Sequence, residues 1–108
     1  MSLKPVIPRE RARRDMEDAA DRYGSEAGEA VALGFIRALQ SALQFIARRP
    51  QVRSPGWAHE LDLPGLRAKR VGRYPYLIFY VEREDHVDVW RVLHERRDIA
   101  GQVRRPSI

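Results

Sequence analysis

The sequence predicts an α+β domain, a two-layer sandwich in which an α-helical hairpin packs on a small antiparallel sheet, with the element order β-α-α-β-β-β. Three observations support this prediction. The first half of the 108 residues carries two amphipathic helical patterns, the second half carries three β-rich runs, and the length suits one hydrophobic core. Helices segregated from a group of strands are typical of two-layer α+β domains. We therefore expect a single domain over residues 1–108.

The chain is expected to begin with a short edge strand and an amphipathic helix. Leu3–Ile7 is mainly apolar, and Pro5 within it lacks the N–H that an inner strand would need. Pro8 suits the first turn of a helix. Apolar residues then recur at helical spacing, at Ala12, Met16, Ala19, Ala20 and Tyr23. Gly24 is expected to end this helix.

A second helix is expected between Ser25 and Pro50. Serine favours the N-cap position, and proline cannot continue a helix. One apolar stripe runs along the segment between them, formed by Val31, Phe35, Leu39, Ala42, Leu43 and Ile46. The short connection between the two helices predicts a helical hairpin. Residues 50–65, which are punctuated by proline and glycine, are predicted to form an irregular loop.

Three strands are expected in the second half, at residues 66–71, 76–82 and 86–93. Alternation along the last strand defines two faces, one with Val87, Val89 and Leu93 and the other with Trp90, Val92 and His94. Because both faces carry apolar groups, we expect the helical hairpin to cover one face and something else, such as a partner chain, to cover the other. The basic tail after Asp98 is expected either to fray or to form a final helical turn.

Composition and charge limit the possible functions. The chain has 20 Lys and Arg against 15 Asp and Glu, a net charge of +5, which predicts an acidic partner, either nucleic acid or an acidic protein segment. The charges of the first helix, among them Arg9 and Asp15, are expected to form a solvated face. No helix-turn-helix or zinc-finger pattern is present, so sequence-specific DNA binding by the chain alone is not expected. The absence of cysteine, of a signal-peptide pattern and of a membrane-spanning apolar run fits a cytoplasmic protein.

The segment from Leu63 to Ile99 carries the most specific pattern. An arginine-rich run is followed by a G-R-Y step, then by I-F-Y, and then by V-x-R-V-x-H-x-x-R-D. The residues that carry this pattern are Gly72, Arg73, Tyr74, Ile78, Phe79, Tyr80, Val89, Arg91, Val92, His94, Arg97 and Asp98. With them the chain resembles the ParE branch of the ParE/RelE toxin superfamily of bacterial type II toxin–antitoxin modules.

The resemblance implies a RelE/ParE-like toxin that a cognate ParD-like antitoxin neutralises in a hetero-oligomer, in modules associated with plasmid stabilisation. It also implies inhibition of DNA gyrase, whereas RelE-type members of the superfamily cut mRNA on the ribosome. The residues expected to bind the target are Arg73, Tyr74, His94, Arg96, Arg97 and Asp98. The residues expected to bind the antitoxin are Tyr23, Phe35, Trp90 and Val92.

A non-catalytic gyrase poison and an mRNA endoribonuclease are therefore the two alternatives. RNA cleavage by 2′-hydroxyl attack needs a proton acceptor, cationic stabilisation and a proton donor. His94 could exchange protons and Lys69 and Arg70 could supply positive charge, but no tyrosine follows the last strand. We therefore expect the non-catalytic function, with no catalytic residue. We predict neither a cofactor nor a metal site, because the three histidines lack ligand-like spacing with carboxylates.

Overall fold

The computed structural model describes residues 3–51, 63–97 and 99–104. Its elements are β1 (Val6–Pro8), α1 (Glu10–Ala27), α2 (Glu29–Arg48), β2 (Leu66–Arg70), β3 (Tyr76–Glu82), β4 (Val87–His94) and α3 (Ile99–Arg104). The predicted order β-α-α-β-β-β is confirmed, and α3 is the helical alternative for the tail. Most of the predicted irregular loop, including His59, lies outside the described residues.

The four strands form one mixed sheet in the order β1-β4-β3-β2. Strands β2, β3 and β4 are antiparallel neighbours, as expected. Strand β1 differs, because it lies parallel to β4 with Val6 opposite Val87. Its edge position explains why Pro5 is tolerated: the Pro5 carbonyl accepts a hydrogen bond from the Val87 N–H at 2.9 Å, and the missing proline N–H is not needed.

The boundary between the two long helices lies at Gly28, and the expected boundary at Gly24 was wrong. Helix α1 continues to Ala27, and Gly24 is an interior residue whose carbonyl accepts a hydrogen bond from the Gly28 N–H at 3.2 Å. Gly28 has φ +98°, a conformation that favours glycine, so the chain reverses there. Ser25 is not an N-cap, since its hydroxyl donates to the Arg22 carbonyl within α1.

The main core lies between the two long helices and one face of the sheet. Helix α2 contributes four buried residues to it, namely Phe35, Leu39, Ala42 and Ile46. The sheet contributes residues at alternate positions of β3 and from β4, namely Tyr76, Ile78, Tyr80, Val87, Val89 and Val92. By length and composition alone α2 could cross a membrane, but its apolar stripe packs in this core.

A β-bulge in β4 changes the faces predicted for its side chains. Phe79 of β3 pairs with Arg91 and Tyr80 pairs with Val89, so Trp90 is the extra residue. The expected alternation is therefore wrong after Val89. Val92 joins Val89 in the helix-facing core, whereas Leu93 turns to the outer face.

The outer face of the sheet has its own apolar cluster, and α3 packs against it. The cluster comprises Leu66, Ala68, Phe79, Val81, Leu93, Ile99 and Val103. Ile99 and Val103 of α3 are each 5% exposed. The chain itself therefore supplies part of the second cover that the sequence had assigned to something beyond the hairpin.

Candidate functional site

A buried ion pair joins α1 to β4. The Arg91 Nε lies 2.7 Å from Asp15 Oδ2, and its Nη2 lies 3.0 Å from Oδ1, so two hydrogen bonds hold the pair. The Arg91 and Asp15 side chains are only 6% and 11% exposed. The Val92 N–H also donates to Asp15 Oδ2 at 3.0 Å. Asp15 therefore does not belong to a solvated face, and the one sequence signal for this was an arginine within a run of valines.

The same guanidinium holds the C-terminal helix. Arg91 Nη1 donates to the backbone carbonyl of Gln102 and to its side-chain Oε1, both at 3.1 Å. Arg91 thus connects α1, β4 and α3 through one planar group. Its five N–H donors suit such a junction, which a lysine ammonium would not reproduce.

A second polar cluster surrounds Asp88 near the start of β4. Its carboxylate accepts hydrogen bonds from Arg9 Nε and Nη2 at 3.0 Å, from Arg83 Nη2 at 3.2 Å and from Trp90 Nε1 at 3.0 Å. The Arg9 guanidinium also lies over the Trp90 ring, 4.7 Å from its centroid. Burial alone would raise the pKa of Asp88, but the hydrogen bonds from Arg9 and Trp90 outweigh it and the pKa is lowered. Arg9 therefore belongs to this cluster, and Trp90 is a half-buried part of it.

The lowered pKa of Asp88 predicts a loss of stability in acid. A depressed carboxyl pKa contributes stability that is complete above the ordinary aspartate pKa of 3.8 and is lost as the pH falls through the lower pKa of the folded state. We expect the unfolding free energy to fall below about pH 4, and to fall less in Asp88→Asn, which has no charge to titrate. Urea unfolding at successive pH values measures the free energy of unfolding of the wild type and of Asp88→Asn. Parallel acid losses in the two proteins would show that Asp88 does not contribute.

Four aromatic rings form a cluster between the helices and the sheet. Tyr23 lies 5.1 Å from Phe35 and 5.5 Å from Tyr74, and Phe35 lies 5.3 Å from Tyr76, measured between ring centroids. Burial and the neighbouring phenols of Tyr76 and Tyr74 raise the pKa of Tyr23, so this phenol stays neutral. A neutral, packed Tyr23 is suited to contact and not to proton abstraction.

Two of the residues expected to bind the antitoxin are core residues. Phe35 is 0% exposed and Val92 is 2% exposed, so the fold itself covers nearly all of both side chains. The helical spacing of Phe35 indicated its apolar face correctly, whereas strand alternation placed Val92 on the face of Trp90 and the bulge turns it into the helix-facing core. Tyr23 and Trp90 are half-buried and keep accessible surface.

Tyr74 is positioned by close contact with Gly34 of α2. A Cβ atom built on Gly34 would lie 2.6 Å from the Tyr74 hydroxyl oxygen but 3.9 Å from Cζ. We therefore expect Gly34→Ala to displace the Tyr74 side chain. The cost of that displacement should cancel the stability that alanine's higher helix propensity would add. In a Tyr74→Phe background the same change should stabilise the protein by about 1 kcal/mol. Thermal unfolding of the wild type, Gly34→Ala, Tyr74→Phe and the double variant measures the coupling between the two positions. Equal effects of Gly34→Ala in both backgrounds would contradict this packing.

The structure brings most of the residues expected to bind the target to one end of the sheet. Arg73 lies in the turn between β2 and β3, and Arg96 and Arg97 lie in the turn after β4. The two turns are adjacent because the Glu95 N–H donates to the Pro75 carbonyl at 2.9 Å. We call the exposed side chains of Arg73, Arg96 and Arg97 the cationic end. Asp98 lies outside the described residues.

His94 is half-buried beside the cationic end. Its ring lies 5.2 Å from the Tyr76 ring, edge to face. Its Nδ1 accepts a hydrogen bond from the Arg96 N–H at 3.1 Å, which in the neutral ring leaves the proton on Nε2. In that tautomer His94 orders the turn and offers a donor, so its geometry fits anion contact better than proton abstraction.

A pocket of about 90 Å³ lies between α1 and the end of β4. Its charged lining comes from Arg11, Asp15, Asp18, Arg22, Arg91 and Arg97. Tyr76, Val92, Leu93 and His94 line it from the sheet, and Ala19 lines it from α1. Sequence reasoning missed this pocket because its charged residues are up to 86 positions apart, between Arg11 and Arg97. In the part of the chain that the structure describes, no three His, Asp or Glu side chains are grouped as metal ligands.

Comparison with known proteins assigns the chain to a family. The model of the family described as "ParE toxin of type II toxin-antitoxin system, parDE" matches residues 6–99. A solved structure of the chromosomal ParDE TA system from P. aeruginosa is similar, with 18% identity, a TM-score of 0.63, and coverage of 85% of this chain and 96% of that chain. At that identity the structural likeness supports the fold alone. No curated protein matches the chain. The family match spans almost the whole chain, which therefore belongs to the ParE toxins of type II toxin–antitoxin systems.

Proposed function

We propose that this toxin inhibits DNA gyrase by binding it without making or breaking a bond, and that a ParD-like antitoxin neutralises it in the cytoplasm. The observation that carries the proposal is the cationic end. Its three guanidiniums are exposed and have no ion-pair partner among residues 3–51, 63–97 and 99–104. Exposed arginines that no described carboxylate pairs with are suited to docking on an acidic macromolecular surface.

The groups around the cationic end support binding in preference to catalysis. His94 Nδ1 is occupied by the Arg96 N–H, so its free nitrogen is a donor in the neutral ring. Tyr76 is 7% exposed and Tyr74 is held against Gly34, so neither phenol is freely placed for proton transfer. These contacts favour binding over proton abstraction at this end. In a gyrase poison the DNA-cleaving groups would belong to the enzyme that is poisoned, and this part of the proposal rests on family analogy.

The surface of the helix pair supports an antitoxin with both apolar and acidic groups. Leu33 and Ile36 are large apolar residues on one side of α2, and they are 46% and 36% exposed. Positive charge accompanies them, since Arg37 follows on the same helix and the whole chain carries a net +5. A partner segment with apolar anchors and carboxylates would match both features. Carried on a plasmid, such a pair would favour retention of that plasmid.

A gyrase assay with purified components tests the proposal. Increasing amounts of the toxin should inhibit supercoiling and increase the fraction of cleaved DNA that denaturation of the enzyme releases. A ParD-like antitoxin, which we expect to be acidic and to be encoded beside the toxin gene, should bind the toxin stably and restore supercoiling. Full supercoiling at toxin concentrations well above that of gyrase would contradict gyrase as the target. Failure of the antitoxin candidate to bind would contradict its assignment as the antitoxin.

An mRNA endoribonuclease is the second candidate, and one observation favours it. Tyr76, His94 and Arg97, which are separated in the sequence, line one pocket together with Arg11 and Arg22. A phenol, an imidazole and guanidiniums are the groups that metal-independent RNA cleavage uses. Toe-printing of ribosome-bound mRNA tests this candidate. Cleavage by the wild type that His94→Ala and Tyr76→Phe both reduce by more than about tenfold would establish it.

A further inference from the structure

The pocket between α1 and the end of β4 occupies an edge of the sheet that no described strand covers. Strand β1 ends at Pro8, which pairs with Val89, so the Arg91–His94 part of β4 has only β3 as a strand neighbour. Helix α1 runs beside this edge, where Asp15 binds the Val92 N–H. The space that remains between α1 and the edge is the pocket.

We propose that this pocket receives one carboxylate side chain, a glutamate of the antitoxin, with its charged head held by Arg11, Arg22 and Arg97. This inference rests on the proposed antitoxin partner and adds the chemistry of one contact. The three arginines come from α1 and from the turn after β4, so only the folded chain brings them together.

The charges that line the pocket leave an excess of cations. Arg91 neutralises Asp15 within their buried pair, so neither is available to a ligand. Arg22 lies 4.0 Å from Glu26, and both side chains are exposed, so this pair holds Arg22 only weakly. Within the described ranges Arg11 and Arg97 have no ion-pair partner, and Asp18 is the remaining carboxylate of the lining. Three guanidiniums against one carboxylate favour an anion.

The apolar part of the lining selects the kind of anion. The lining also includes Ala19, Val92 and Leu93, which are at most 4% exposed, so a small hydrocarbon area accompanies the charged groups. A glutamate places its methylene groups on such a surface and its carboxylate beside the guanidiniums, whereas a phosphate group has no apolar atoms to place there. Asp18 also repels a doubly charged phosphate more strongly than a singly charged carboxylate. The pocket volume of about 90 Å³ suits one side chain and not a folded element.

Nuclear magnetic resonance of the full ¹⁵N-labelled chain tests the inference with acetylated pentaglutamate amide as the probe. We expect saturable shifts at the amides of Ala19, Val92 and His94, and none with the matched pentaglutamine. Arg11→Gln/Arg22→Gln should weaken pentaglutamate binding about tenfold or more, since it removes two charge-assisted hydrogen bonds.

The control is Arg13→Gln/Arg14→Gln, which removes the same charge from the same helix outside the pocket. It is closely matched, because Arg14 pairs with Glu10 at 3.5 Å as Arg22 pairs with Glu26 at 4.0 Å. This control should bind pentaglutamate within about twofold of the wild type. Equal weakening of pentaglutamate binding in both double variants, or no saturable shift with pentaglutamate, would show that the pocket does not bind a carboxylate side chain.

Two further arms separate the possible occupants. Inorganic phosphate or octathymidylate producing the same shifts at the same or lower concentration would overturn the assignment to a peptide carboxylate. If the antitoxin binds the wild type and Arg11→Gln/Arg22→Gln with equal affinity, the pocket does not contact the antitoxin, while the toxin–antitoxin proposal stands. Failure of the wild type to bind the antitoxin would instead overturn the proposed function.

Discussion

Replacing Arg91 with alanine is expected to lower the free energy of unfolding by about 3–5 kcal/mol. The substitution leaves the carboxylate of Asp15, which is 11% exposed, without its cation. It also removes both hydrogen bonds to Gln102, so α3 should dissociate from the outer face before the rest of the chain unfolds. Urea denaturation measures the total loss, and hydrogen exchange at Val103 measures the detachment of α3.

Two controls show whether the buried pair itself causes this loss. Arg14→Ala breaks the exposed ion pair between Arg14 and Glu10, whose side chains are 62% and 69% exposed. It should lower the free energy of unfolding by less than about 1 kcal/mol. Asp15→Leu/Arg91→Met removes both charges and should be less damaging than Arg91→Ala, because no buried charge is left unpaired. A loss below about 1 kcal/mol for Arg91→Ala would contradict the account of this junction.

Reversing the charge of Arg96 and Arg97 in the cationic end is expected to weaken the proposed gyrase inhibition strongly. Arg96→Glu/Arg97→Glu should raise the concentration for half-inhibition by about 100-fold, which corresponds to about 3 kcal/mol of binding free energy. Both side chains are exposed, so the fold should be unaffected. The reason is electrostatic: in the proposed complex, two attractive contacts with an acidic gyrase surface would become two repulsive ones.

The matched control for this prediction is Arg13→Glu/Arg14→Glu. It gives the same change in net charge on the exposed side of α1, so it isolates the position of the charge from its total. We expect the control to shift the half-inhibition concentration by less than about fivefold. Retention of full inhibition by Arg96→Glu/Arg97→Glu, with a normal unfolding curve, would show that the cationic end does not contact the target.

The fold class was predictable because helical and strand periodicity agree with the packing nearly everywhere. The stripe of α2 was found directly, since Phe35 and Leu39 recur at helical spacing and are buried. The end of α1 was not found, because Gly24 and Gly28 both suit a helix end. Only the backbone at Gly28, with φ +98°, distinguishes them.

The candidate sites were less predictable because they depend on contacts between distant residues. The bulge at Trp90 adds one residue to β4 and exchanges the faces of Val92 and Leu93, which alternation alone does not reveal. The pairing of Asp15 with Arg91 spans 76 positions. The sequence did indicate the cationic end, since Arg96 and Arg97 follow the last strand and the turn geometry keeps them exposed.

The central proposal is that this toxin acts by binding and breaks no bond itself. The most direct test counts cleaved mRNA molecules per toxin molecule, with ribosome-bound mRNA in about hundredfold molar excess and with a toxin preparation already shown to inhibit gyrase. We predict no cleavage above the toxin-free background. Many cleaved mRNA molecules per toxin molecule, lost in His94→Ala, would contradict the proposal and make the toxin a ribonuclease.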